Sequence, residues 1–203
     1  MTNSNSSNMP LVVGISGASG IIFGVRLLQV LRGTNIPAHL IFSKSAAQTL
    51  KVETDVSLSE LKGLANVCYS NNDISAAVSS GSFKTRGMIV IPCSVRTLAE
   101  VAHGGGESLL SRAADVVLKE RRRLVLVVRE TPLHAGHLRN MLAATENGAV
   151  IMPPVPAFYH CPTTLDQIID QTVGRCLDLF NIDAGIVKRW HAINPPDDDD
   201  RDR

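Results

Sequence analysis

The chain has 203 residues, 44% of them apolar and 19% charged, which is enough to bury a sizeable core in one domain. Lys and Arg number 20 against 19 Asp and Glu, a formal net charge of +1, and no basic block marks a nucleic-acid surface. No apolar run reaches the length of a membrane span, so neither nucleic acid nor a bilayer is an expected partner.

Residues 1–10 are polar and lack the basic and apolar regions of a signal peptide, which predicts a disordered tail. The last ten residues, 194–203, carry two prolines and an acidic run and predict a second one. Between them, residues 11–193 are expected to form a single α/β domain. Cys68, Cys93, Cys161 and Cys176 form no C-x-x-C pair, which points to reduced thiols and a cytoplasmic location rather than a zinc site.

Apolar runs of strand length alternate with helix-period segments. Strands are predicted at 11–15, 38–42, 88–91, 124–128 and 149–152, and helices at 21–31, 45–52, 97–102, 109–120, 137–145 and 165–180. Residues 68–84, rich in Ser, Asn and Ala, read mostly as connections. Strands that are apolar throughout and separated by helices predict a Rossmann-like (flavodoxin-like) three-layer α/β sandwich with a mainly parallel sheet. Ligands of such sheets sit beyond the carboxyl ends of the strands.

The first exit carries Gly14, Gly17 and Gly20 around Ala18 and Ser19, a G-x-x-G-x-x-G turn leading into a helix, where free N–H groups suit a phosphate. The second exit, Ser43-Lys44, lacks the acid that holds a dinucleotide's ribose, which favours a mononucleotide over NAD. At the third exit Ser94 and Thr97 suit a flavin or a phosphate, and both equally suit helix capping. Cys93 reads as a small buried filler. Arg112 and Lys119 share one helix face, and Arg129-Glu130 ends a buried strand, where unpaired charge is costly. The basic groups suit a phosphate and Glu130 a proton transfer. Tyr159 follows a proline-rich fifth exit and offers a hydroxyl to an anion, or packs as a core aromatic. His134 and His137 lack an evident third ligand for a metal. Trp190 either anchors the tail or walls a pocket. These residues place two anions at one sheet edge.

Taken together, the segments resemble the flavin prenyltransferase (UbiX-like) family. The matching motifs are SGASG at 16–20, Ser43-Lys44, Glu53-Thr54-Asp55, PCS at 92–94, RAADVVLKERR at 112–122, Arg129-Glu130, HLRNML at 137–142 and PAFYH at 156–160. Arg175 and Arg189-Trp190 follow at fitting distances. Ser108, Val128 and the stretch 133–137 depart from the commoner pattern. The resemblance implies FMN, in reduced form, as acceptor of a dimethylallyl group from dimethylallyl phosphate, bonded at N5 and C6. It implies no metal, a UbiD-type decarboxylase as recipient of the product, and a homo-oligomer, a dodecamer, with sites between subunits. It assigns FMN contacts to Gly17, Ala18, Ser19, Ser43, Ser94, Thr97 and Arg129. Donor contacts fall to Lys119, Arg129, Tyr159, Arg175 and Trp190, and proton handling to Glu53 and Glu130 with Ser19. The alternatives are an FMN-dependent decarboxylase of the related flavoprotein group, disfavoured because the Asn-containing substrate motif is absent, and a non-catalytic flavin carrier.

Overall fold

A computed structural model of the chain describes residues 9–190; the two expected tails fall outside these residues, apart from Met9 and Pro10. Six strands, β1 (Leu11–Ile15), β2 (Ala38–Phe42), β3 (Val67–Ser70), β4 (Gly87–Cys93), β5 (Arg123–Val128) and β6 (Val150–Ile151), form one sheet in the order β3-β2-β1-β4-β5-β6. Every neighbouring pair is parallel. The helices are α1 (Ile21–Arg32), α2 (Lys44–Glu53), α3 (Leu58–Gly63), α4 (Val95–Ala102), α5 (Leu109–Lys119), α6 (Ala135–Glu146) and α7 (Leu165–Asp178).

The strands are apolar throughout because both faces of the sheet are covered. Leu11, Val13, Ile15, Leu40, Ile89, Ile91 and Val125 pack with side chains of α1, α2 and α7. The alternate residues Val12, Met88, Val90, Leu124 and Leu126 pack with those of α4 and α5. Two apolar layers on one sheet give the three-layer α/β sandwich, and each fully buried Leu, Ile or Val contributes about 1.5–3 kcal/mol.

The structure corrects the reading of residues 68–84 as connections. It places edge strand β3 at Val67–Ser70 and a 3₁₀ turn at Ala77–Ser79. As an edge strand, β3 exposes Val67, Cys68 and Ser70 and half-buries only Tyr69, so its sequence carries no apolar run. Helix α3 was likewise not predicted; it starts at a capping box in which Ser57 Oγ accepts the Glu60 N–H and Glu60 accepts the Ser57 N–H. The predicted fifth strand shrinks to Val150–Ile151. The order in which strands are added reverses across the sheet between β1 and β4, which makes their carboxyl ends the switch point where open α/β sheets bind ligands.

Candidate active site

A cavity of about 470 Å³ opens over the carboxyl ends of β1, β2 and β4. Its wall includes Gly17, Ser43, Lys44, Ser94, Thr97 and Ser108. Three helix N-termini meet there, each with a serine N-cap. Ser43 accepts the Ala46 N–H at the start of α2, Ser94 the Thr97 N–H at the start of α4, and Ser108 the Ser111 N–H at the start of α5. Capping fixes each hydroxyl and leaves other first-turn N–H groups toward the cavity, so the helix dipoles favour an anion in it. The capping and ligand-binding readings of Ser43 and Ser94 are therefore compatible.

The β1 and β4 exits are stitched by Ser16, which is 1% exposed. Its hydroxyl donates to the Pro92 carbonyl at 2.9 Å and accepts the Ser94 N–H at 2.7 Å. A Cβ at Gly17 would overlap Ser45, so only glycine lets the first turn lie against α2. Gly20 caps α1 with φ 87°, a conformation glycine adopts readily, and has no side chain to cap with.

Glu53 supplies that cap from the far end of α2. Its carboxylate accepts the Gly20 N–H at 2.8 Å and the Ile21 N–H at 3.1 Å. Partial burial pushes the Glu53 carboxyl up. The Ser19 hydroxyl bond, the two backbone N–H groups and the charge of Arg129 outweigh burial and hold it below the ordinary carboxylate range. Ser19, Glu53 and Arg129 thus form one electrostatic cluster beside the glycine turn.

Arg129 leaves β5 with its N–H on the Cys93 carbonyl at 3.0 Å, while its Nε is buried without a partner. An unpaired buried guanidinium nitrogen is costly and marks a place for an acceptor. Glu130 accepts the Thr131 N–H at 3.0 Å. Cys93 is fully buried and its thiol is pushed up by burial, so it is inert filler. His134 serves as the N-cap of α6, accepting the Gly136 N–H through Nδ1, and stacks on His137 at 3.6 Å.

Of the expected residues, Gly17, Ser43, Ser94 and Thr97 line this cavity, and the others do not line it within one chain. α5 begins at the cavity with Ser108 and runs 11 residues, about 16 Å, to Lys119 beside the start of β5. Lys119 therefore lies at the opposite, amino edge, where it pairs with Glu120 at 2.5 Å. Arg175 sits in the last turn of α7, which leads to Phe180 against Gly87, the first residue of β4. It pairs with Asp178, which also takes two bonds from Arg189. Tyr159 donates to the Lys188 carbonyl at 3.1 Å, and its ring meets Trp190 edge-on at 5.5 Å. The expectation of two anions at one edge fails for a single chain, because helices in a parallel sheet carry residues from one edge to the other.

Sequence reasoning left out Asn71, whose carbonyl and side chain accept the Leu109 and Leu110 N–H groups and which lines the cavity. It lies just past the unpredicted β3. Gln171, 5% exposed and bonded to Tyr159, was also left out, since a glutamine within a helix carries no sequence signal.

The flavoprotein family profile matches residues 1–191. Flavin prenyltransferase UbiX of Escherichia coli K12 is 63% identical over 185 residues, covering 90% of this chain and 98% of that protein. The probable UbiX-like flavin prenyltransferase of Bacillus subtilis is 52% identical over 183 residues, 90% of each chain. A crystal structure of AnUbiX (PadA1) in complex with FMN and dimethylallyl pyrophosphate superposes with a TM-score of 0.90 at 52% identity, covering 92% of this chain and 99% of that one. A dodecameric FMN-dependent UbiX-like decarboxylase from Escherichia coli O157:H7 gives 0.88 at 48% identity, covering 90% and 100%. With its glycine turn, serine-capped cavity and full-length likeness, this chain belongs to the flavoprotein family, in its flavin prenyltransferase branch.

Proposed function

We propose that this protein is a flavin prenyltransferase that moves the dimethylallyl group of dimethylallyl phosphate onto reduced FMN and releases inorganic phosphate. The observation that carries the reading is the meeting of three serine-capped helix N-termini in one cavity, with Arg129, whose Nε is unpartnered, bonded to Cys93 next to the Ser94 cap. These groups fit a phosphate monoester continued by a polar chain and a planar ring. Ser43, Ser94, Thr97 and the turn Gly17, Ala18 and Ser19 would hold the FMN phosphate and ribityl chain, and Arg129 the ring. Reduced flavin supplies the electron-rich N5 and C6 atoms to which the five-carbon unit becomes bonded.

The chain's own groups account for the rest. Breaking the donor's carbon–oxygen bond sends the electron pair out with phosphate. Lys119, Tyr159 and Arg175 stabilise that anion, and fixed cationic donors in a dry site lower such a barrier most. The aromatic faces of Tyr159 and Trp190 stabilise the allylic cation. Ser19 and the ionised Glu53 form a route for the proton displaced at N5, and Glu130 one for the leaving phosphate. Since Lys119 and Arg175 lie away from the cavity of their own chain, another copy supplies them, in an assembly like the dodecameric neighbour. The product goes to a UbiD-type decarboxylase, and the four free cysteines suit a reducing cytoplasm. The described residues contain no helix long and apolar enough to cross a membrane.

The test is anaerobic incubation with reduced FMN and dimethylallyl phosphate, with no decarboxylase present. The reading expects multiple turnovers that raise the flavin mass by one isoprene unit; a carrier would return the flavin unchanged.

A further inference from the structure

Gln171 is a buried polar residue on α7 with every hydrogen-bonding group in use. Its Nε2 donates to the Tyr159 hydroxyl oxygen at 2.7 Å and to the Lys188 carbonyl at 3.2 Å, and its Oε1 accepts the Lys188 N–H at 3.0 Å. One amide thus grips Tyr159 and both backbone groups of Lys188, two residues before Trp190.

The Tyr159 proton points at the Lys188 carbonyl in this arrangement. To bind the donor, that proton has to turn from the carbonyl to a phosphate oxygen. A phosphate dianion accepts far more strongly than a peptide carbonyl, so the exchange is favoured if it leaves nothing unpaired. The second N–H of Gln171 meets this condition, because it stays on the Lys188 carbonyl when Tyr159 leaves it. The first N–H, held on the phenol oxygen, polarises the O–H and strengthens it as a donor.

The geometry points to Gln171 as a positioning residue for the donor phosphate: it fixes the Tyr159 oxygen and satisfies Lys188 while Tyr159 redirects its proton. This rests on the prenyltransferase reading and on the donor contact of Tyr159. Gln171 itself touches neither substrate.

The experiment is a double-mutant cycle on the full-length enzyme with Gln171→Met, Tyr159→Phe and the pair, reading KM for dimethylallyl phosphate, kcat and FMN affinity. Gln171→Met is expected to raise KM for the donor about fivefold or more, with FMN affinity unchanged. In the Tyr159→Phe background the same change should add almost nothing, because no phenol proton remains to direct. Gln171→Asn keeps the amide's donors and acceptor but draws them back by one methylene from the phenol, so it should reproduce the KM effect in a chain that folds even if the methionine variant does not. A penalty of equal size with and without the Tyr159 hydroxyl would show a merely structural role and overturn the inference. An inactive wild type would instead overturn the prenyltransferase reading, and a Tyr159→Phe enzyme with normal KM would overturn the contact on which the inference rests.

Discussion

The Glu53 carboxylate accepts the Gly20 N–H at 2.8 Å, so the last residue of α2 caps the helix that follows the glycine turn. One side chain therefore serves the fold and, in the proposed reaction, the chemistry. It satisfies a helix start that has no capping side chain of its own, and it presents an anion next to the Ser19 hydroxyl.

The Glu53→Gln variant separates these roles. The amide oxygen retains the cap on Gly20 and Ile21, but the proton acceptor is gone. FMN affinity is expected to stay within a few-fold of wild type while kcat for prenylation falls at least about a hundredfold, the lower reach of a general base. Single-turnover kinetics with saturating FMN check this.

The same group sets a pH dependence. Burial pushes the Glu53 carboxyl up, but Ser19, the two backbone N–H groups and Arg129 together outweigh it and hold the group below the ordinary carboxylate range in the folded chain. A depressed folded-state pKa contributes stability that is complete above the unfolded value of about 4.3 and is lost as pH falls through the lower folded value. Melting temperatures of wild type and Glu53→Gln should differ by a constant amount from pH 6 to 8, a window of about two units above that value, and converge in acid.

Ser16→Ala removes the stitch between β1 and β4. The half-buried Ser94 N–H loses its partner while the Pro92 carbonyl keeps the Ser16 N–H at 3.2 Å, so the loss is that of one unsatisfied donor, about 1–3 kcal/mol. Urea denaturation should show this loss, and FMN affinity should fall with it because the Ser94 cap shifts.

Ser94→Ala deletes an N-cap, costing about 1 kcal/mol of stability, and removes the contact proposed for the FMN phosphate. FMN affinity should drop about tenfold while riboflavin affinity changes far less, since only FMN carries the phosphate. Fluorescence titration with both flavins decides it.

Lys119→Ala should cut prenylation strongly and leave FMN bound. Co-assembly with Ser43→Ala subunits should then recover activity, because a lysine from one copy can serve the intact cavity of another. Without recovery in mixed oligomers, the placement of Lys119 in a neighbour's site would be wrong.

The central strands were legible because burial on both faces makes them continuous apolar runs, as in Leu11–Ile15 and residues 124–128. β3 was not, since an edge strand needs no such run. Gly17, Ser43 and Ser94 were legible as candidates because strand exits concentrate ligands, and all three line the cavity. The separation of Lys119 and Arg175 from them was hidden, because sequence gives the order of the elements but not which edge a helix end reaches. Ser16, Asn71 and Gln171 act through bonds to the backbone of segments remote in sequence, and no local pattern announces them.

The most direct measurement is the mass of the flavin recovered after the purified protein meets reduced FMN and dimethylallyl phosphate under anaerobic conditions. This account predicts one added isoprene unit, with inorganic phosphate released in equal amount. Recovery of unmodified FMN alone, from protein shown to bind it, would contradict it.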